Sequence, residues 1–257
     1  MIPHYNNLGG LKDSIKSIDE SINADIVIVD DGSKIKPQKK DIEYSHGNIF
    51  IIKLPQNAGI EHALNTGLSF IKKQGYEFTG RLDCGDLCKK NRFKKQINYL
   101  RKHKKIVLVG GWVNVIDSKG HKKYITKHPS KHKEISKKMY LNSMFVHPSV
   151  LFKTSILDKI GVYPTHYKAA EDYAFFFNVV KKFKTANLEE VLIDYIIDDN
   201  SISSQKRKIQ VKSRIRVILN HFYLGYYPIY GLIRNIILLS MSRNMSTALK
   251  KLFYSKK

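Results

Sequence analysis

Between Ala24 and Asp117, apolar runs of strand length alternate with segments of helical periodicity, and this alternation restricts the fold more than any other feature. "ADIVIVDD" (24–31) is a continuous apolar run closed by the turn residues Asp31-Gly32-Ser33. "NIFIIKLP" (48–55), "YEFTGRLD" (76–83) and "KIVLVGGWVNVID" (105–117) read as further strands, and "MIPHY" as the stub of a first. Ile60, Ala63, Leu64, Gly67, Leu68 and Ile71 fall on one helical face, and Phe93, Ile97 and Leu100 mark a second, basic amphipathic helix. "LKDSIKSI" from Leu11 carries the same helical spacing. Strands separated by helices predict an α/β fold with a mostly parallel sheet and right-handed crossovers. In such sheets ligands collect at the carboxyl ends of the strands, where "VDDGS" and "RLDCGD" both sit. Two acidic strand ends are therefore expected to face one cleft.

The second half is less regular. "HPSVLFKTS" (147–155) and "ANLEEVLIDYII" (186–197) read as strands, with the helix "AAEDYAFFFNVVKKF" (169–183) between them. Residues 203–221 form a basic helix, and from Phe222 the tail turns aromatic and apolar, interrupted by Pro228, Arg234 and Asn235. The expected boundary is a domain over 1–205 with a helical tail over 206–257. The tail reads as an interfacial helix or hairpin on anionic lipid, with packing against the domain as the alternative.

A chain of 257 residues is long enough for one sizeable core, and 42% hydrophobic residues exclude a disordered protein. The net charge of +23 favours an anionic partner. The lysines run from Lys12 to Lys257 without a concentrated basic motif, so nucleic acid is not the expected ligand. Cys84 and Cys88 are too few for a disulfide framework and read as free thiols. "MIPHYNN" has no basic region followed by an apolar run, so a cytoplasmic location is expected.

The ordered set "IPHYNN", "VDDGS", "NAGIEHALNTGL", "RLDCGDLCKKNRFKKQ", "VGGWVNVID", "HPSVLFKTSILDKIGVYP", "AEDYAFF" and "VLIDYIIDDNSIS" resembles the bacterial family-2 glycosyltransferases over residues 1–205. The resemblance implies a GT-A fold and inverting transfer of a sugar from a nucleotide-diphosphate sugar. A UDP-sugar is the expected donor, and a glycan or lipid-linked acceptor of surface polysaccharide synthesis the expected acceptor. It also implies that Pro3, Tyr5, Asp30, Asp31, Asn57, Asn65, Arg81, Asp83 and Glu171 bind the donor. Asp172 takes the place of the catalytic base, although carboxylates at a helix start also complement the helix dipole.

Such a reaction needs a cation to neutralise the leaving diphosphate, and Mn²⁺ or Mg²⁺ is held by as few as one or two carboxylates plus substrate phosphates. Asp83 and Asp86 are the expected metal ligands. Gly85 stands where relatives carry an acidic residue, which means either a shifted turn or a weakened site. Asp198 is a candidate substitute ligand, His147 a candidate for ordering its loop, and Trp112 a candidate for the acceptor side or the core. The whole enzyme is expected at the inner face of the cytoplasmic membrane, bound peripherally. The same fold without catalysis, acting as a binding subunit, is the alternative.

Overall fold

A computed structural model of the chain describes residues 1–197 and 206–240, so Asp198 and the tail beyond Ser240 lie outside the described residues. Strands β1 (Ile2–His4), β2 (Ile26–Asp30) and β3 (Ile49–Lys53) pair in parallel, with Ile2 opposite Ile28 and Ile28 opposite Ile51. Helix α1 (Leu8–Lys16) is the crossover from β1 to β2, a loop with a 3-10 turn at Lys39–Asp41 joins β2 to β3, and helix α2 (Ile60–Lys73) leads from β3 to the second sheet. The face expected for α2 is the buried one: Ala63, Leu64, Gly67, Leu68 and Ile71 all point inward.

A second, six-stranded sheet runs in the order β4 (Phe78–Gly80), β8 (Leu151–Lys153), β6 (Ile106–Ile116), β9 (Lys184–Ile196) and β5 (Leu87–Cys88), with β7 (Lys122–Thr126) on the side of β6. Only β6 and β9 pair in parallel here; β4/β8, β6/β8, β5/β9 and β6/β7 are antiparallel. The expected α/β architecture with helices flanking a sheet is present. Its parallel part is concentrated in β1–β3, because β8 and β9 return after long connections instead of simple crossovers. Met1 bridges the two sheets: its amine donates to the Gly80 carbonyl (2.9 Å), and Leu82 N–H donates to the Met1 carbonyl (3.3 Å).

Helix α3 (Arg92–Lys102) is fastened by polar side chains that carry no solvent. Arg92 donates to the carbonyls of Arg81 and Pro148 (2.7 Å each), and Gln96 to those of Val109 (3.0 Å) and Ser149 (2.9 Å). Beyond α4 (His132–Lys138) and α5 (Leu157–Ile160), helix α6 (Glu171–Lys182) places Phe175, Phe176 and Phe177 in the centre of the largest apolar cluster, against Phe152, Tyr163 and Tyr140.

The last two described helices are α7 (Arg207–Asn220) and α8 (Tyr226–Ser240). Val217 and Ile218 of α7 join the α6 cluster, and Ser213 Oγ donates to the Lys168 carbonyl (2.9 Å). Helix α8 approaches so closely at Gly231 that a Cβ there would lie 2.2 Å from the Tyr140 carbonyl oxygen. Its Arg234 donates to the Leu141 carbonyl (2.6 Å). Residues 206–240 thus pack on the domain while α8 leaves Tyr226, Ile229, Tyr230, Ile233, Ile236 and Ile237 exposed. No helix among the described residues is long and apolar enough to cross a membrane.

Candidate active site

Past β4 the chain enters a tight turn, Asp83-Cys84-Gly85-Asp86, closed by Asp86 N–H donating to the Asp83 carbonyl (3.1 Å). Gly85 takes φ +107° at its third position, a conformation L side chains rarely adopt. Space is not the reason for glycine, since the nearest atom to an added Cβ would be Asn7 Nδ2 at 3.8 Å. The turn is held to α1 by Ser14, whose Oγ accepts from Gly85 N–H (2.8 Å) and donates to the Asp83 carbonyl (3.3 Å).

The two aspartates of this turn have different surroundings. Asp83 forms an ion pair with the buried Arg81 and keeps part of its side chain exposed. Asp86 is buried; its Oδ1 accepts from Ile196 N–H (3.0 Å), while Oδ2 has no partner. Burial, and then the charge of Asp83, push the Asp86 carboxyl well above the usual range. Neither cysteine is a ready nucleophile. Burial pushes the Cys84 thiol up to about 12, and buried Cys88 is likewise raised.

At the opposite wall, α6 begins with Glu171 and Asp172. Asp172 Oδ1 accepts from Tyr173 N–H (2.7 Å) in the first turn, where carboxylates suit the helix dipole. Burial, with the Asp172 charge next to it, pushes Glu171 up to about 7. Asp172 is also raised by burial, and the Arg214 guanidinium opposes that shift. Asp83, Glu171, Asp172, His147, Tyr195 and Arg214 line one cleft of about 480 Å³. His147 hydrogen-bonds the Tyr163 hydroxyl (2.8 Å), and burial with the nearby Arg81 charge lowers its pKa well below the ordinary value, so it is neutral.

The remaining candidates are not among the residues that line this cleft. Asp30, at the end of β2, is fully buried and pairs with His4 (2.8 Å), leaving Oδ2 without a partner. Asp31 pins the following turn, its two oxygens accepting from Ala58 N–H (2.8 Å) and Gly59 N–H (3.0 Å). Asn65 clamps the backbone of Tyr163 through both ends of its amide. Pro3 lies in β1; Tyr5 and Asn57 are exposed, at the carboxyl end of β1 and in the turn before α2. Trp112 packs under the Lys127 ammonium at 4.6 Å, so its described contact is with a cation.

Arg214, Gln210, Asn142 and Ser143 also line the cleft and were not among the sequence candidates. One signal was present for Arg214: it follows Val211 by three positions and precedes Ile218 by four, which places a cation on the apolar stripe of α7. A larger cavity of about 550 Å³ opens at the other end of the first strands, under Met1 and Ile26, with mostly apolar walls. It lies away from the carboxyl ends where the acidic residues gather.

The residues present fit a lightly held divalent cation. Asp83 faces the cleft, and Asp86 contributes a buried oxygen without a partner in the same turn. Among the described residues no group of three or more His, Cys, Asp or Glu could hold a metal unaided. Substrate phosphates would have to supply the remaining ligands.

Residues 1–161 match the family described as glycosyl transferase family 2. The chain belongs to that family. It is similar to the amylovoran biosynthesis glycosyltransferase AmsE of Erwinia amylovora, at 27% identity over 92% of this chain and 89% of the relative. It is also similar to the UDP-Gal:alpha-D-GlcNAc-diphosphoundecaprenol beta-1,3-galactosyltransferase of Escherichia coli, at 28% identity over 96% and 90% of the two chains. Among solved structures, S. aureus TarS in complex with UDP-GlcNAc superposes with TM-score 0.67 at 17% identity, covering 97% of this chain and 74% of that one. The mannosyltransferase PcManGT of Pyrobaculum calidifontis, in complex with GDP-Man and Mn²⁺, gives 0.61 at 14% identity over 94% and 69%. The family-2 glycosyltransferase has the expected GT-A fold.

Proposed function

We propose that this glycosyltransferase moves a sugar from a UDP-sugar to a hydroxyl of a lipid-linked glycan acceptor, with inversion at the anomeric carbon. The observation that carries this reading is that Asp83 and Asp172, from elements far apart in sequence, line one cleft. Asp172 takes the proton of the acceptor hydroxyl, whose oxygen attacks the anomeric carbon from the face opposite the nucleotide. The carbon–oxygen bond to the diphosphate breaks and the nucleoside diphosphate leaves. Burial raises the pKa of Asp172, which favours proton uptake, and the Arg214 charge opposes that shift. Asp83 and Asp86 would hold Mn²⁺ or Mg²⁺ with the donor's phosphates, and the cation would neutralise the departing diphosphate.

The names of the relatives support the donor and acceptor classes. The galactosyltransferase uses UDP-Gal and a diphosphoundecaprenol-linked sugar, and AmsE serves amylovoran biosynthesis. Residues 1–205 carry the proposed base and metal ligands in this reading, and α7 adds Gln210 and Arg214 to the cleft. The helices after 206 supply an apolar surface for peripheral attachment to an anionic membrane, the inner face of the cytoplasmic membrane in a bacterium.

The test is a donor screen by UDP or GDP release with Mn²⁺ or Mg²⁺, in the parent and in Asp172→Asn. The expected result is metal-stimulated release, reduced about 10²- to 10⁴-fold in the variant. Asp83→Ala should remove the metal response. Equal activity of parent and Asp172→Asn would overturn the mechanism. Intact UDP binding with no turnover on any acceptor would favour the binding-subunit alternative, which Gly85, Ile196 and the short first strand support.

A further inference from the structure

Arg214 is the one lysine or arginine among the described residues that line the cleft, where three carboxylates gather. Its guanidinium makes no hydrogen bond or ion pair with a described residue, and its Nε is buried without a partner. Asp172 is close enough to feel its charge, yet the two form no ion pair within 4 Å. A half-buried cation whose Nε lacks a partner is costly, so this geometry suits an anion that arrives with a ligand. The Tyr173 ring, 5.7 Å from the guanidinium carbon, holds the side chain without using its donors. A guanidinium so preorganised suits the oxygens of a phosphate.

We propose that Arg214 binds a phosphate of the acceptor, next to the hydroxyl that Asp172 deprotonates. This inference rests on the reading of the cleft as the site of sugar transfer. The donor's diphosphate belongs at the other wall, where Asp83 is engaged by Arg81. The acceptor side is built by α7, and α7 carries α8 on its outer flank. Arg234 of α8 holds the Leu141 carbonyl, and the next residue, Asn142, lines the cleft. Helix α8 therefore packs beside the cleft-lining segment on its Arg234 side and turns its apolar face to solvent. A sugar joined through phosphate to a lipid would meet the arginine with its charge and α8 with its chain.

The test measures binding of octyl phosphate and of neutral octyl glucoside to the full chain saturated with UDP and Mn²⁺, by calorimetry. The parent should bind the phosphate at least about tenfold more tightly, the effect of one or two charge-assisted hydrogen bonds. Arg214→Gln should remove that preference, and Arg214→Lys should retain part of it. UDP affinity and thermal midpoint, measured on the same samples, should stay near those of the parent. A parent without preference for the phosphate, or a preference that survives Arg214→Gln, would overturn the proposal while leaving the transferase reading intact. A parent that fails to bind UDP would overturn both. If Arg214→Gln weakens UDP as much as octyl phosphate, the arginine serves the donor instead, and the proposal fails.

Discussion

Glu171 and Asp172 are adjacent in sequence, yet their surroundings separate them. Glu171 is more deeply buried by surface and is raised to about 7, whereas Asp172 has Arg214 to favour its charged form. A carboxyl whose folded pKa exceeds its unfolded value makes the folded state the better proton binder. Stability then falls as pH rises from the unfolded value near 4.5 to about 7, and is flat above that. Denaturant midpoints of the parent should show this decline, on the order of 3 kcal/mol if Glu171 acted alone. Glu171→Gln should flatten the slope over that window. Below about 7 Glu171 is protonated and uncharged, so the same substitution should leave the acid limb of kcat/KM near its parent position. An acid limb that moves to lower pH would show that Glu171 carries charge while Asp172 titrates.

At the level of elements, α3 shows how far a sequence pattern can be trusted. Its periodic apolar residues, Phe93, Ile97 and Leu100, predict the helix, but only Leu100 is fully buried among them. The fully buried partners are Arg92 and Gln96, which satisfy four carbonyls at strand ends and loops. Gln96→Ala should lower stability by about 2–4 kcal/mol, because two buried carbonyls lose their donor. Gln96→Glu should be no better, since its carboxylate would face both carbonyls; chemical denaturation of the two variants checks this. Hydropathy could not reveal these roles, because the need for a donor is set by carbonyls distant in sequence. The same limit explains the sheet. Strands β2, β3, β6 and β9 were legible as long apolar runs, but β7 ("KKYIT") is half-polar and exposed, and the insertion of β8 between β4 and β6 depends on long-range pairing. In the site, Asp83, Glu171 and Asp172 were legible because each ends or begins an element by motif. Arg214 was missed because a basic helix reads as a solvated one until its partner face is known.

Over the whole molecule, the charge of +23 and the face of α8 point in one direction. Tyr226, Ile229, Tyr230, Ile233, Ile236 and Ile237 recur at three- and four-residue intervals and are each at least two-fifths exposed, on a helix whose opposite side is held by Gly231, Arg234 and Asn235. Contiguous apolar surface of this kind is unusual on a protein that stays in water. Partial insertion at a lipid interface would remove it from water, and basic residues would add roughly 1 kcal/mol each close to an anionic surface. Ile233 and Ile237 lie at the centre of the face and contact little of the domain, so aspartates there should leave the thermal midpoint within a few degrees. The double substitution Ile233→Asp/Ile237→Asp should lower partitioning onto anionic vesicles at least about tenfold, given the apolar burial lost and the charge introduced. Uncharged vesicles should bind the parent more weakly than anionic ones, and added salt should narrow that gap. Flotation of the double variant equal to that of the parent would remove α8 from the membrane role. The exposed face would then need a protein partner to explain it.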